Sequence, residues 1–223
     1  MNDLTLLIPA KYESESLPIF LTELKDYDYK KLIVLDQNDI KTIESINHFK
    51  DIEILHQKKT GYGNALIEGV NHINTNLFCI INADGSMNPN ELQGMLNKID
   101  NDNQDLVFGS RYMKNAGSED DDLVTSIGNF IFTQLGKIFF RLKISDILYT
   151  YVLGKTKLVQ DLNLRSGDFQ YCIELPIKAK RKNYKCTSYP CYERGRIGGK
   201  KKVNPFLDGL KILIGMIKLF LNR

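Results

Sequence analysis

Near the middle of the chain, a lone acid follows an apolar run. In the stretch CIINADGSMNPNEL, residues 79–92, the apolar run ends at Asn82, and Asp84 and Gly85 then precede a proline-led helical pattern. A carboxylate at the carboxyl end of a buried strand is placed where a metal ion or a phosphate would bind. The alternative is a turn or helix-capping role, which Asp also favours.

Two glycines precede another helical pattern, in the stretch TGYGNALIEGV at residues 60–70. Gly61 and Gly63 would let backbone amides approach an anion at the amino end of that helix. A tight turn before an amphipathic helix needs the same residues. The spacing matches neither a Walker loop nor the dinucleotide-binding glycine pattern.

Strands and helices must position these residues, and short apolar runs alternate with helical patterns through the first half of the chain. The strand candidates are 4–8, 31–35, 52–55, 77–82 and 105–108, and the helix candidates are 16–25, 40–49, 62–72 and 89–100. This alternation predicts a mostly parallel sheet with helices on both faces. Ligands of such sheets bind outside the carboxyl ends of the strands, so loops 9–13, 36–39 and 82–86 should converge on one edge.

Composition limits the class of protein. A chain of 223 residues with 43% hydrophobic content predicts one domain with a substantial core, and the net charge of +3 argues against a dedicated nucleic-acid binder. The four cysteines form no C-x-x-C pair, which fits reduced thiols in a cytosol. The opening residues break at Pro9 after too few apolar positions for a secretory signal, so no export signal is expected.

Six motifs in order resemble the family 2 glycosyltransferases, specifically the polyprenyl-phosphate (dolichyl-phosphate) sugar synthase branch, over roughly residues 4 to 212. They are LLIPAKYESESLP, LIVLDQND, GYGNALIEGV, NADGS, VFGSRY and RIGGKKKVNPFLDGLK. The resemblance implies an α/β fold of the GT-A type, with a mostly parallel central sheet flanked by helices. It covers a domain at 1–203, while 204–223 is expected to be an amphipathic helix that belongs to that domain or anchors it at a membrane.

The resemblance implies transfer of a sugar, with inversion, from a nucleotide-diphosphate donor to a polyprenyl phosphate. Mg²⁺ or Mn²⁺ would neutralise the leaving diphosphate, with Asp84 as the main ligand and Asn82 and Ser86 assisting. Asn82 stands where the family has the first acid of its Asp-x-Asp motif. An uncharged amide weakens the expected metal affinity, and a turn-stabilising role is the alternative for Asn82.

Donor recognition also follows from the resemblance. The implied donor-binding residues are Pro9, Ala10, Glu13, Asp36, Gly61, Gly63 and Asn82. The backbone of the first loop would cup the nucleoside while Asp36 accepts from the base, and Glu13 has helix capping as its alternative. Lys11 and Tyr12 depart from the family pattern, so the ribose contacts do not carry over and the base stays open.

Cations in the distal half fit an acceptor phosphate. Between Lys178 and Lys202 there are ten Lys or Arg residues and a single acid, Glu193. By resemblance, Arg111, Arg196 and Lys202 would grip the lipid phosphate, since Arg offers a bidentate fork and Lys a mobile charge. For the run 178–185, a solvated basic face is the preferred interpretation.

The catalytic set implied by the resemblance is Asp84, Asp146 and Arg111, with Asp146 approaching the donor sugar and the acceptor. Residues 149–151 depart from the family's Ser-Gly-Phe, so the acceptor can differ. A phosphate acceptor needs no catalytic base. Transfer to a saccharide or lipid-linked glycan would need one, with Asp146 or Glu174 as the candidates. A non-catalytic subunit that binds sugar nucleotides is the third alternative.

Two apolar segments, 123–142 and 206–223, combine long apolar faces with a few charges. Helices lying in a membrane interface fit this pattern better than spanning helices, although core or oligomer helices would also fit. Together with the basic residues, they predict a peripheral enzyme on the cytoplasmic face of the membrane. A homo-oligomer and a membrane-anchored partner are the alternatives left open for assembly, and no nucleic acid is expected. The acidic run 119–122 is predicted to be a solvated loop, and its alternative, a role in metal binding, would require it to fold back over Asp84.

Overall fold

The structure is a computed structural model that describes residues 3–199 and 204–222. Its strands, in chain order, are β1 Leu4–Pro9, β2 Lys30–Leu35, β3 Glu53–His56, β4 Leu77–Ile80, β5 Leu106–Ser110, β6 Gly117–Ser118, β7 Val152–Lys155, β8 Cys186–Pro190 and β9 Tyr192–Glu193. Its α-helices are α1 Leu17–Glu23, α2 Ile40–Ile46, α3 Tyr62–His72, α4 Leu92–Asp100, α5 Leu123–Phe140, α6 Thr156–Gln160, α7 Tyr171–Arg181 and α8 Pro205–Leu221.

Seven strands form one sheet in the order β3-β2-β1-β4-β7-β5-β8, and β6 pairs with β9 in a small separate ribbon. The neighbours β3, β2, β1 and β4 are parallel, as are β5 and β8, whereas β7 runs antiparallel between β4 and β5. All six residues of β1 are buried, because helices cover both faces of the sheet. The predicted mostly parallel sheet flanked by helices is therefore confirmed.

The core consists of two layers, one on each face of the sheet. One layer packs α1 and α4 against alternate residues of β1 such as Leu6 and Ile8, and the other packs α3 and α7 against Leu7. Each predicted strand and helix of the first half is present, with ends shifted by a few residues; the predicted helix 89–100 begins as a 3₁₀ turn at Pro89–Glu91. The pattern did not predict β7.

The direction of β7 matters for the site. A strand that runs against its neighbours begins at the edge where they end, so the residues just before β7 lie beside the carboxyl ends of β4 and β5. Ser145 shows this placement, because its hydroxyl bonds Ser110 at the end of β5 and its amide bonds Ser188 in β8. The segment 145–150 thus joins the loops of the parallel strands.

Candidate active site

Asp84 lies in the loop that follows β4 and is buried, with 5% of its surface exposed. Its Oδ1 accepts hydrogen bonds from the amide of Ser86 at 3.1 Å and from the Ser86 hydroxyl at 2.8 Å. Its Oδ2 lies 3.0 Å from Nη1 of Arg196. Gly85 between them has φ +75°, a left-handed conformation that favours glycine. One carboxylate oxygen is therefore fixed by the loop, and the other faces a cation.

A distal segment, residues 194–197, lies across this loop. The amide of Arg194 donates to the carbonyl of Ser86 at 2.8 Å, and the amide of Ile197 donates to the carbonyl of Asp84 at 2.9 Å. The Arg194 guanidinium also bonds the carbonyl of Gly85 at 2.7 Å and pairs with Glu23 at 2.8 Å. Backbone bonds thus hold Arg196 over Asp84.

The acidic run is not the solvated loop that the sequence predicted. Asp120 accepts two bonds of 2.9 Å from Arg196, and Asp121 lies 3.3 Å from Nη1 of Arg111 with its side chain only 6% exposed. That prediction is wrong because Arg111 and Arg196 compensate the negative charge and draw the loop over the site. Arg196 therefore bridges Asp84 and Asp120.

Arg111 and Asp146 form the most enclosed part of the site. Nε of Arg111 donates to Oδ2 of Asp146 at 2.8 Å, and Nη2 donates to Oδ1 at 3.2 Å. Asp146 has no exposed surface and also accepts from Nδ2 of Asn129 at 2.6 Å and from the amide of Tyr149 at 3.2 Å. The Arg111 guanidinium lies 4.6 Å from the centroid of the Tyr149 ring.

In this cluster, three carboxylates face a single guanidinium. Arg111 also pairs with Glu193 at 3.2 Å, so Asp146, Glu193 and Asp121 surround one guanidinium. Burial alone would lower the pKa of Arg111, but these carboxylates raise it well above its ordinary value and keep the guanidinium charged. Burial raises the pKa of Glu193, although Arg111 opposes that shift.

On the donor side, the loops after β1 and β2 are tied together. Asp39 accepts from the amide of Tyr12 at 2.6 Å, and the amide of Glu13 donates to Oγ1 of Thr42 at 3.0 Å. Tyr12 adopts φ 54° and exposes 69% of its surface. Asp36 accepts from the amide of Asn38 at 2.9 Å. Pro9 and Ala10 are buried, so only the outer part of this predicted donor loop faces solvent.

The two glycines of the TGYG stretch meet the chain itself. A Cβ on Gly61 would lie 2.3 Å from the carbonyl oxygen of Gly167, and one on Gly63 would lie 2.1 Å from that of Ser166. The amide of Asn64 donates to Gly167 at 3.1 Å. This close backbone approach accounts for both glycines, so their binding of the donor stays a prediction.

Between these glycines, Tyr62 reaches the candidate metal ligands. Its hydroxyl donates to Oδ1 of Asn82 at 3.1 Å and lies 2.6 Å from Oγ1 of Thr150, just before β7. Burial raises the pKa of Tyr62, so it stays a neutral donor. Tyr62 was not singled out from the sequence, although its position between two glycines was a signal. Thr150 was noted only as part of the segment 149–151 that departs from the family pattern.

The structure thus brings most of the predicted residues to one edge, but in two groups. Asp84, Ser86 and Arg196 share one group, to which Tyr62 connects Asn82, while Arg111 and Asp146 form the other. Lys202 lies outside the described residues. The sequence did not single out Asn129 and Glu193 as members of the site, and it gave Asp120 and Asp121 a place there only as the less favoured alternative.

The residues around Asp84 fit a divalent metal ion. A carboxylate, an amide oxygen and a hydroxyl are hard oxygen ligands of the kind that Mg²⁺ and Mn²⁺ accept, and Arg196 already shows that a cation is favourable beside Oδ2. Within residues 3–199 and 204–222, no three His, Cys, Asp or Glu side chains form a metal-binding group. A diphosphate and water would have to complete the coordination, as is usual for Mg²⁺.

Comparison with known proteins gives the family. The profile described as Glycosyl transferase family 2 matches residues 5–162. Proteins named uncharacterized glycosyltransferases from Mycobacterium bovis and Mycobacterium tuberculosis are 27% identical over 210 residues, which is 94% of this chain and 94% of theirs.

Solved structures agree on the fold. Glucosyl-3-phosphoglycerate synthase from Mycobacterium tuberculosis, with Mn²⁺, UDP-glucose and phosphoglyceric acid, superposes with a TM-score of 0.70 at 12% identity, over 98% of this chain and 80% of that one. The same enzyme with Mg²⁺ and UDP gives a TM-score of 0.67 at 12% identity, over 98% and 79% of the two chains. The predicted GT-A-like fold is confirmed, and the chain belongs to glycosyl transferase family 2, as an enzyme that transfers a sugar from a nucleotide donor.

Proposed function

We propose that this glycosyltransferase moves its sugar to a polyprenyl phosphate, with a divalent metal ion and with inversion at the anomeric carbon, on the cytoplasmic face of a membrane. The observation that carries the choice of an anionic acceptor is the enclosure of Asp146. It has no exposed surface, and Arg111, Asn129 and the amide of Tyr149 all donate to it. A carboxylate so engaged is not free to take a proton from an acceptor.

The other candidate base is engaged in the same way. Glu174 accepts from the amides of Arg165 at 2.9 Å and Ser166 at 2.7 Å, and it pairs with Lys178 at 2.7 Å. A sugar hydroxyl must lose a proton as it attacks, whereas a phosphate oxygen is already anionic near neutral pH. An acceptor that carries its own negative charge therefore suits this site better than a saccharide.

The bonds balance without a proton transfer. An acceptor phosphate oxygen forms a bond to the anomeric carbon, and the bond between that carbon and the donor diphosphate breaks. The electron pair leaves with the nucleoside diphosphate, and attack from the opposite face inverts the centre. A divalent metal ion bound by Asp84, Asn82 and Ser86 would neutralise the developing charge of the diphosphate.

The chain's own residues prepare this site. Ser86 fixes Oδ1 of Asp84, and Tyr62 fixes Oδ1 of Asn82, so both ligand side chains are oriented in advance. Arg196, 3.0 Å from Asp84, supplies positive charge where the two phosphates would meet. Arg111 holds the carboxylates around it and thereby shapes the acceptor side.

A small phosphorylated acid is the second candidate acceptor, because the fold neighbour contains phosphoglyceric acid beside UDP-glucose. Such an acceptor also needs no catalytic base, since its phosphate and carboxylate are already charged. The lipid is preferred because exposed apolar residues of α5 lie next to the site: Asp122 and Leu123 directly follow Asp121, which contacts Arg111.

The test is transfer by the purified chain with a panel of nucleotide sugars, Mg²⁺ or Mn²⁺, and three acceptors: a short polyprenyl phosphate, 3-phosphoglycerate and an oligosaccharide. Asp84→Ala is the test variant. Asp102→Ala is the matched control, because this acid is exposed and forms a surface ion pair with Lys98 near the end of α4.

We expect a metal-dependent glycosylated lipid phosphate, absent with Asp84→Ala and unchanged with Asp102→Ala. A product only with 3-phosphoglycerate would replace the lipid by a soluble acceptor. Transfer to the oligosaccharide alone would overturn the proposal of an acceptor that needs no base.

A further inference from the structure

Two helices of this protein turn their apolar residues outward. Within the described residues, 21 large hydrophobic side chains are exposed, and 15 of them belong to α5 and α8. On α5 they are Leu123, Val124, Ile127, Phe130, Ile131, Ile138 and Phe139; on α8 they are Phe206, Leu207, Leu210, Leu213, Ile214, Ile217, Phe220 and Leu221. We call these side chains the α5–α8 face.

The most buried side of α5 is polar, whereas an ordinary amphipathic helix buries its apolar side. Its buried residues are Asn129, Thr133 and Gly136, which recur at helical spacing and are polar or small. Asn129 bonds Asp146, and Oγ1 of Thr133 accepts from the amide of Ile147. The fully buried stripe of α5 is therefore polar or small. Phe132, Leu135 and Phe140 pack against the core, and the seven exposed apolar residues of α5 are left to the surroundings.

The two helices form one continuous surface. Phe132 of α5 lies against Gly209 of α8, and the rings of Phe139 and Phe140 contact that of Phe220 edge to face, with centroids 5.6 and 6.1 Å apart. These contacts advance in the same direction along both helices, so α5 and α8 run parallel. The exposed apolar residues of the two helices therefore form one contiguous patch, unlike the single, scattered hydrophobic residues of an ordinary protein surface.

Charge identifies the partner. The exposed charges within these helices and just after α5 are cations: Lys137, Arg141, Lys143, Lys211 and Lys218. The exposed N-cap of α5, Asp122, is acidic, so the cations lie along α8 and towards the carboxyl end of α5. The one acid within the two helices, Asp208, is bonded to the amide of Asn204 and to Lys211. An apolar face with cations around it complements an anionic lipid surface. Two copies joined through this face would bring cation towards cation.

Length and attachment favour lying on the bilayer over crossing it. By length and composition, α5 is the one helix in the described ranges that could cross a membrane, and 17% of it is buried. Its 18 residues extend about 27 Å, short of the ~30 Å hydrocarbon core. Because Asn129 and Thr133 are bonded to the domain, α5 cannot be surrounded by lipid on all sides.

We infer that the α5–α8 face docks this glycosyltransferase on an anionic bilayer, with both helices lying in the plane of the lipid interface. α5 begins at Leu123, two residues after Asp121, which contacts Arg111, so docking places the Arg111 and Arg196 side of the site near the lipid headgroups. The exposed face is observed and does not depend on the proposed function. The inference rests on the proposed function only where a lipid acceptor explains why the site should lie at the membrane.

The test is flotation of the full chain with vesicles of phosphatidylcholine, with and without phosphatidylglycerol, in the absence of any donor or acceptor. The test variant is Ile127→Ser with Ile217→Ser, two positions that are 51% and 52% exposed. The matched control is Ile19→Ser with Ile40→Ser, which are 58% and 54% exposed on α1 and α2. Circular dichroism checks that both double variants fold.

We expect the wild type and the control to float with the anionic vesicles, and the test variant to bind at least about tenfold more weakly. Lys137→Glu with Lys218→Glu should remove most of the preference for anionic lipid, since each cation contributes to it. Release of the bound protein by alkaline carbonate is expected for a protein lying on the surface.

Several results would overturn the inference: no flotation of the wild type, an equal loss in test and control variants, or resistance to carbonate. A dimer in light scattering that becomes a monomer with Ile127→Ser and Ile217→Ser would assign the face to a second copy. Turnover of a short polyprenyl phosphate in detergent separates the proposals. If that acceptor is not turned over but the protein floats with vesicles, the proposed acceptor is wrong and the docking face is supported. If the acceptor is turned over but the protein does not float, the proposed acceptor is supported and the docking face is wrong.

Discussion

Asp84 and Asp146 are both buried acids at the carboxyl edge of the sheet, and their surroundings differ. One oxygen of Asp84 is held by Ser86, while the other faces Arg196, whose side chain is 24% exposed. Asp146 faces Arg111, whose side chain is 8% exposed, and Asn129, which is fully buried. Burial alone therefore does not identify the reactive acid. What distinguishes Asp84 is a cationic partner that solvent and ligands can reach.

The largest effect should follow removal of the Asp84 charge. Asp84→Asn is expected to lower kcat about a thousandfold, because a metal ion supplies several kcal/mol of transition-state stabilisation and each 1.36 kcal/mol is a factor of ten. The melting temperature should change little, since Arg196 keeps Asp120 as its partner. Steady-state kinetics beside thermal denaturation measure both; a large loss of stability would remove the contrast with Asp146.

The reverse pattern is expected for Asp146. Asp146→Asn should destabilise the fold by about 3 kcal/mol, because it leaves part of the Arg111 charge uncompensated in a buried site. Glu193 and Asp121 still pair with Arg111 and limit the loss. Urea denaturation gives the free energy of unfolding. Unchanged stability with lost activity would show that Asp146 acts on a substrate instead of on the fold.

Glu174 is a third buried acid, and the pH dependence of its contribution to stability shows whether it supports the fold, as is expected for Asp146. Burial raises its pKa, but Lys178 and the amides of Ser166 and Arg165 outweigh that effect and lower it below the ordinary 4.5. Its stabilisation is therefore present above pH 4.5 and is lost as the pH falls below that value. At neutral pH, Glu174→Gln should cost about 2 kcal/mol.

The measurement is denaturant unfolding of wild type and Glu174→Gln across a pH series. The two stabilities should converge as the medium becomes acidic. A difference that stays constant from neutral to acid pH would mean that the charge of Glu174 contributes nothing and that only its shape matters.

The smallest effect should come from Tyr62→Phe, which removes one hydroxyl that contacts Asn82 and Thr150. We expect a loss of about 1 kcal/mol in unfolding free energy and a severalfold rise in the metal concentration that gives half-maximal rate. Metal titration of the initial rate measures the second effect. If neither quantity moves, Asn82 needs no support from Tyr62.

Local patterns in the sequence were sufficient for much of the fold. Strand and helix periods predicted β1 to β5 and the helices between them, and the strand-end rule placed Asp84 at the edge where the loops meet. β7 was missed because a strand of four residues, Val152–Lys155, that itself contains Gly154 and Lys155 is too short to show a distinct period. Its antiparallel direction, which brings Thr150 to the site, depends on sheet order that no local pattern contains.

The candidate site was predictable only where its residues lie close together in one short segment of the sequence. Asp84, Asn82 and Ser86 lie within five residues and could be found together. The carboxylates around Arg111 come from residues 121, 146 and 193, and long-range pairing of this kind leaves no mark in a single sequence. Charge balance over such distances also explains why the acidic run was taken for a solvated loop.

The antiparallel insertion has a consequence for synthesis of the chain. Ile80 pairs with Val152, so β4 and β5 keep open edges until the ribosome has released residues well beyond both strands. Pairing over such a separation is slow, and unpaired strand edges invite contact with other nascent chains. The carboxyl edge that carries Asp84 is thus completed late, and a chain released before residue 155 would expose the centre of its sheet.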